Sequence, residues 1–112
     1  MNGVILVPDD WSASTYSLSS TNIYYVSFSS NTISQSVWTS TLEPAGCVFL
    51  PAAGFRYGTS VEYVGSNGYY WSASYSYSYG AYFVLFCDSD LCPASDNGRN
   101  SGYCVRLVAG SE

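Results

Sequence analysis

WSASYSYSYGAYFVLF, residues 71–86, poses the question on which the fold turns. Ser and Tyr alternate from Ser74 to Tyr79, and an apolar run then extends from Ala81 to Phe86. The two-residue period of a strand sets Tyr82, Val84 and Phe86 on one face and Phe83, Leu85 and Cys87 on the other. Both faces therefore carry large apolar groups. Two readings stand side by side. Either the strand is covered on both sides and the aromatics belong to the core, or one side is offered to a ligand. Tyr, Ser, Gly, Asn and Asp dominate residues 65–103, as they do antibody loops, where Tyr gives stiff amphipathic contact area at low entropic cost.

Working outward, VILVP reads as a short strand ended by Pro8, and residues 9–22 as a Ser/Thr-rich loop. NIYYVSF, Asn22 to Phe28, alternates as a strand. Ser34 followed by Val37, Trp38 and Leu42 predicts one capped helix over residues 34–42, ending before Pro44. GCVFLPAAG, Gly46 to Gly54, reads as strand then turn. Residues 55–74 read as a loop or a hairpin, with two strands flanking Gly65-Ser66-Asn67-Gly68, because Asn-Gly is a strong turn signal. CDSDLCPASDNGRNSG, residues 87–102, reads as loop punctuated by Pro93 and Asn97-Gly98. YCVRLV, residues 103–108, closes the chain as a strand. The class is α+β and mostly β, in a single domain over residues 1–112.

Composition excludes several functions. Only 10% of the residues are charged, and there is neither Lys nor His. Arg56, Arg99 and Arg106 stand against eight acids, for a net charge of −5. Three dispersed cations make no phosphate-binding patch, which argues against nucleic acid and against anionic membrane surfaces. No apolar run approaches the ~18 residues that span a bilayer, so no membrane insertion by this chain is expected. The GVILVP segment lacks the basic start and the length of a signal peptide, so the chain reads as incomplete at its start. The even set Cys47, Cys87, Cys92 and Cys104 suggests disulfides and an oxidising compartment. Its spacing fits no zinc site, and no metal or other cofactor is expected.

No catalytic set emerges, and the reading is not an enzyme. The commonest general base, His, is missing, and so is Lys, the alternative base for a Ser nucleophile. Asp88 and Asp90 form a possible carboxylate pair, but two acids in a polar loop read as solvated groups. The oxygen-rich DSD and SDN runs at 88–90 and 95–97 lack an EF-hand register.

Several segments together carry a resemblance. NGVILVPDDW, GCVFLPAAGFR, GYYWSAS, AYFVLF, Arg99 and GYCVRLV resemble the C-terminal half of a Bacteroidetes-type surface-protein domain. This is the family of paralogous domains first named from Fibrobacter, of the C-type-lectin-like fold of the formylglycine-generating-enzyme type. The resemblance covers residues 2–108. It implies that fold, or its C-terminal half, with a missing N-terminal segment or a second chain completing it. The sugar motifs of calcium-dependent lectins are absent, since Glu43-Pro44-Ala45 lacks their Asn.

Some members of that family are similar to the variable proteins of diversity-generating retroelements, in which adenines of Asn codons are randomised. The resulting NNC and NNT codons never encode Lys, Glu, Gln, Met or Trp. Residues 72–108 contain none of these, whereas Met1, Trp11, Gln35, Trp38, Glu43, Glu62, Trp71 and Glu112 all lie outside that span. The resemblance implies a variable ligand-binding face of Tyr75, Tyr77, Tyr79, Phe83, Leu85, Cys87, Asp90, Cys92, Ser95, Asp96, Asn97, Asn100, Ser101 and Tyr103. On this reading Phe83, Leu85 and Cys87 look outward to water, and Cys87 and Cys92 are either free or bonded by chance. Fixed scaffold positions would be Gly54, Trp71, Arg99, Gly102 and Arg106. Trp71 would be the central core aromatic, the glycines would permit positive φ or close approach, and the arginines would hold loop carbonyls or acids.

The function so implied is that of a non-enzymatic receptor- or ligand-binding domain, extracellular, on a bacterial surface or a phage virion. Its partner would be a protein receptor. The alternative is a carbohydrate-binding adhesin module of a surface lipoprotein or pilus, with a surface glycan as partner. A third possibility is an assembly domain with no ligand.

Overall fold

A computed structural model describes residues 1–18, 32–87 and 90–106. The strand expected at Asn22 to Phe28 lies outside these residues, as do Asp88 and the last two residues of the expected closing strand. Among the described residues there are seven strands. Strand β1 (Gly3–Leu6) pairs antiparallel with β2 (Val48–Pro51). Strand β3 (Phe55–Tyr57) pairs with β4 (Ser60–Glu62). The main sheet is antiparallel in the order β5 (Gly68–Tyr77), β6 (Gly80–Phe86), β7 (Leu91–Gly98). The chain is mostly β, as its alternation implies.

The helix forms where Ser34 predicts it. Its hydroxyl accepts from the Val37 amide at 3.2 Å, which satisfies one of the amides that a first turn leaves open. Gln35–Val37 is α-helical (α1), and Trp38–Leu42 runs on as a π-helical turn. Leu42 is fully buried, and the Trp38 ring meets Phe49 edge-on at 6.1 Å. Strand β2 thus shows Phe49 to the helix and Leu50 to the main sheet. The core joins Leu50 and Ala52 to Tyr70, Phe86 and Leu91, with Val4, Val48, Val84 and Cys104 around them. Burying each Leu or Phe side chain contributes ~1.5–3 kcal/mol.

Three expectations are corrected. The hairpin lies one turn earlier than Asn67-Gly68. Tyr57 pairs with Ser60, and Gly58, at φ +59°, takes the first loop position, which type II′ turns reserve for glycine. Strands β4 and β5 flank Asn67 but do not pair; β5 pairs with β6 instead. Gly68 serves packing, because a Cβ there would enter the Phe86 ring. Residues 91–98 form a strand, not a loop. Pro93 is accommodated because β7 is an edge strand of this sheet and carries a bulge. Phe83 pairs with Ser95 and Leu85 with Cys92, so Val84 faces both Pro93 and Ala94. Residues 103–106 do not close the chain as a regular strand. Gly102 bridges Arg56, and Cys104 bridges Tyr70 in parallel.

The Tyr70 hydroxyl donates to the Pro51 carbonyl at 2.7 Å, and its ring stacks on Phe86 at 6.2 Å. Burial raises its pKa above the ordinary 10.0; Cys104 adds to the rise, and Arg106 opposes it. Burial also raises the Cys47 thiol above 9.0. In both cases the folded chain holds a proton that the unfolded chain releases. Stability is therefore full below these ordinary values and declines as pH rises through the raised ones. Urea midpoints measured from pH 7 to 11 should be flat to about pH 9 and then fall. Tyr70→Phe should flatten the part of the slope above pH 10.0. An unchanged slope in that variant would remove Tyr70 from the account.

A candidate ligand-binding face on the main sheet

The register decides which residues share a side. Tyr69 lies opposite Leu85, Trp71 opposite Phe83, and Tyr75 opposite Ala81. Across β6, Leu85 meets Cys92, Phe83 meets Ser95, and Ala81 meets Asn97. Residues opposite one another point the same way. The face turned from the core therefore carries Tyr75, Phe83, Leu85, Cys92, Ser95 and Asn97, with Tyr69 and Trp71 beneath the residues after β7. Tyr103 joins them. Its ring lies 4.6 Å from those of Trp71 and Phe83, and 5.1 Å from that of Tyr69. Asn97 Nδ2 donates to its hydroxyl at 2.9 Å.

This face is layered. Phe83 is buried at 5% exposure, which corrects the expectation that chance had left it facing water. The rings of Trp71, Tyr69 and Tyr103 cover it, and Phe55 and Tyr63 extend the cluster from the neighbouring hairpin. Leu85, Cys87 and Tyr103 are half-buried, not fully outward. Trp71 is likewise half-buried and belongs to this cluster; the core aromatics are its neighbour Tyr70 and Phe86. Phe55, Tyr63 and Tyr69 were missed from sequence. The pairing of Tyr69 with Leu85 was open to discovery once β5 and β6 were aligned, but nothing local linked Phe55 to them.

The outward tyrosines cluster at the β5–β6 turn. Tyr75 and Tyr79 are 73% and 81% exposed, and Tyr77 is 48% exposed. Strand β5 reaches this tip with extra residues. Trp71 and Tyr75 face Phe83 and Ala81, so residues 72–74 oppose Tyr82 alone. The Ser74 amide closes onto the Ser72 hydroxyl at 3.1 Å. A second register shift lies between Tyr75, opposite Ala81, and Tyr77, opposite Gly80, so that these two tyrosines fall on opposite sides of the sheet. The Tyr77 ring lies over Gly80, where a Cβ would collide with it. Arg99 braces the tip. Its amide donates to the Tyr79 carbonyl at 2.8 Å and its Nε to the Gly80 carbonyl at 3.3 Å.

The remaining residues of the expected face are not brought to it. Asp96 is opposite Tyr82, on the other side of the sheet. Asn100 and Ser101 lie in the turn after β7. The Asp90 carbonyl accepts from the Cys87 amide at 3.0 Å, closing the far end of the β6–β7 pair. Of the scaffold positions, Gly54 has φ +66° and Gly102 packs against the Arg56 backbone. Arg106 is exposed. Cys47 and Cys104 are free thiols and belong to no disulfide. The Cys92 sulfur lies 2.8 Å from the Ser95 hydroxyl, and the register sets Cys92 across from Leu85, not from Cys87.

The central panel of this face carries no charged side chain. Aromatic rings, a carboxamide, a hydroxyl and a thiol are suited to shape-based contact and to hydrogen bonding. Residues 27–108, well over half of the chain, match the family model described as "Domain of unknown function (DUF8237)". No curated protein and no solved structure matches the chain.

Proposed function

The chain belongs to the DUF8237 family, and we propose that it is a non-enzymatic ligand-binding domain whose contact surface is the aromatic face of β5–β6–β7 and the tyrosine tip beside it. The domain is displayed outside the cell, on a bacterial surface or a phage virion, and its ligand is a protein receptor. One observation supports this most. Six residues of the expected variable face (Tyr75, Phe83, Leu85, Cys92, Ser95 and Asn97) fall by register on one side of the sheet, opposite the core, with Phe83 buried as its floor. Two layers divide the work. Phe83 and Trp71 form a floor that fixes the geometry. Tyr75, Tyr79, Asn97 and Tyr103 supply contacts, of which a few aromatics carry most of the affinity. The C-type-lectin-like fold remains the expected parent architecture.

A library of this chain randomised at positions 75, 77, 79, 83, 97 and 100 tests the reading without a known ligand. Displayed on yeast and challenged with protease, most occupants should survive at every position except 83. Exposed sites of this kind change stability by about 0.5 kcal/mol or less. Selection on an arbitrary purified protein should then yield binders. Intolerance at 75, 79 and 97 alike would defeat the proposal. Sequencing the same locus in sister strains adds a second check, since differences should concentrate at these codons other than 83.

The stacked pair Tyr69–Tyr103, 5.1 Å apart and 28° from parallel, beside the Asn97 amide, favours a second reading. A sugar ring can lie on such rings while an amide takes its hydroxyls. A reproducible preference on a glycan array would select this reading over a protein receptor.

A further inference from the structure

We propose that Phe55, Tyr69, Trp71 and Phe83, together with the Asn97 amide, form a socket for a phenol ring, and that the chain's own Tyr103 fills it. The inference rests on reading this face as the ligand-binding one and names a ligand class for it. Four rings surround that of Tyr103: Trp71 and Phe83 at 4.6 Å, Tyr69 at 5.1 Å, and Phe55 edge-on at 5.8 Å. Such spacings are those of favourable offset and edge-to-face aromatic pairs. Asn97 meets the hydroxyl at 2.9 Å, so the site reads both ends of a phenol.

The backbone that carries the walls is held by hydrogen bonds that do not involve the Tyr103 ring. Gly102 exchanges backbone hydrogen bonds with Arg56 at 2.9 and 3.2 Å, and Cys104 with Tyr69 and Trp71 at 2.9 and 3.0 Å. The backbone is thus pinned on each side of position 103, and β5 and β6 hold Tyr69, Trp71 and Phe83. Protein interiors relax only partly around a deleted side chain, so removing the Tyr103 ring leaves an aromatic-walled recess of the shape of the ring it held. Tyr103 is half-buried, so one side of the socket opens to water. A small residue at 103 turns a filled panel into a receptor for a 4-alkylphenol: free p-cresol, or a tyrosine side chain from a partner protein. The occupant of this one position decides whether the face is flat or concave.

The test uses Tyr103→Ala in the full chain, with p-cresol, toluene and N-acetyltyrosine amide as probes at millimolar concentration. Calorimetry should show saturable p-cresol binding to the variant and none to the parent or to Tyr103→Phe, whose ring still fills the space. At free p-cresol ten times its Kd, the folded-to-unfolded ratio of the variant should rise about 11-fold. Toluene, lacking the hydroxyl, should bind about 5-fold more weakly. Adding Asn97→Ala should erase that difference. Binding of the tyrosine amide, set against p-cresol alone, separates a peptide source from a free phenol. If Tyr103→Ala unfolds by itself, refolding by p-cresol supports the socket. A variant that stays unfolded with p-cresol, or folds and ignores it, overturns the proposal, as does equal binding of p-cresol and toluene. Saturable p-cresol binding in a chain whose randomised library fails would keep the socket and remove the variable face.

Discussion

Phe83→Ala should lower the unfolding free energy by ~3–5 kcal/mol, measured by urea denaturation. Domains of this kind are stable by about 5–15 kcal/mol in total, so the variant stands near the edge of folding. The magnitude follows from burial at 5% exposure and from ring contacts to Tyr69, Trp71 and Tyr103. An outward Phe83 placed by chance would cost about 0.5 kcal/mol or less on removal. The two expectations differ several-fold, so one denaturation curve decides between them. A small loss would return Phe83 to the ligand-contact set and open the cluster to solvent. Phe83→Leu should fall between, because it keeps apolar volume but loses the ring edges.

Gly54→Ala is expected to be comparably damaging for a different reason. Its φ of +66° costs an L side chain ~1–2 kcal/mol. A Cβ at this position also meets the Glu62 carbonyl oxygen and lies 2.9 Å from the Val64 nitrogen. These are backbone atoms and cannot turn aside, so overpacking adds ~1–3 kcal/mol. The Gly54 amide moreover donates to Asn67 at 2.8 Å, joining the β3–β4 hairpin to the entry of β5. Gly58 supplies the control. Its φ is +59° but nothing lies within 4 Å of its absent Cβ. Gly58→Ala should lower the thermal midpoint by a fraction of the Gly54→Ala shift. Equal shifts would mean that conformation alone matters at Gly54 and that the crowding relaxes.

Much of this arrangement was legible in the residues. Ser34 announced its cap because the signal is local, one hydroxyl serving one nearby amide. The division of Tyr82–Phe86 into two faces followed from strand geometry, and the register confirms that division. What composition could not settle was which of two apolar faces would be covered, since both were. Phe83 shows why: its cover comes in part from Tyr103, twenty residues on, whose ring is met in turn by Phe55 of the hairpin. Strand β7 was hidden by Pro93 and Asn97-Gly98, ordinary loop signals that an edge strand tolerates where a bulge takes up the proline. The Asn-Gly pair misled in the same way. Gly68 is there to admit the Phe86 ring, a long-range demand that a turn rule does not contain.

The bridges from Arg56 to Gly102 and from Tyr70 to Cys104 bear on how the molecule comes into being. Each joins segments more than thirty positions apart, so neither can form while the nascent chain is short. Until residue 104 has left the ribosome, Tyr69 and Trp71 lack the backbone partner that Cys104 supplies, and the aromatic cluster lacks its capping ring. Bringing such distant segments together before any contact rewards them is entropically costly, and it slows folding toward the millisecond-to-second range of β-rich domains. The surface proposed to recognise a ligand is therefore among the last parts of the molecule to be assembled.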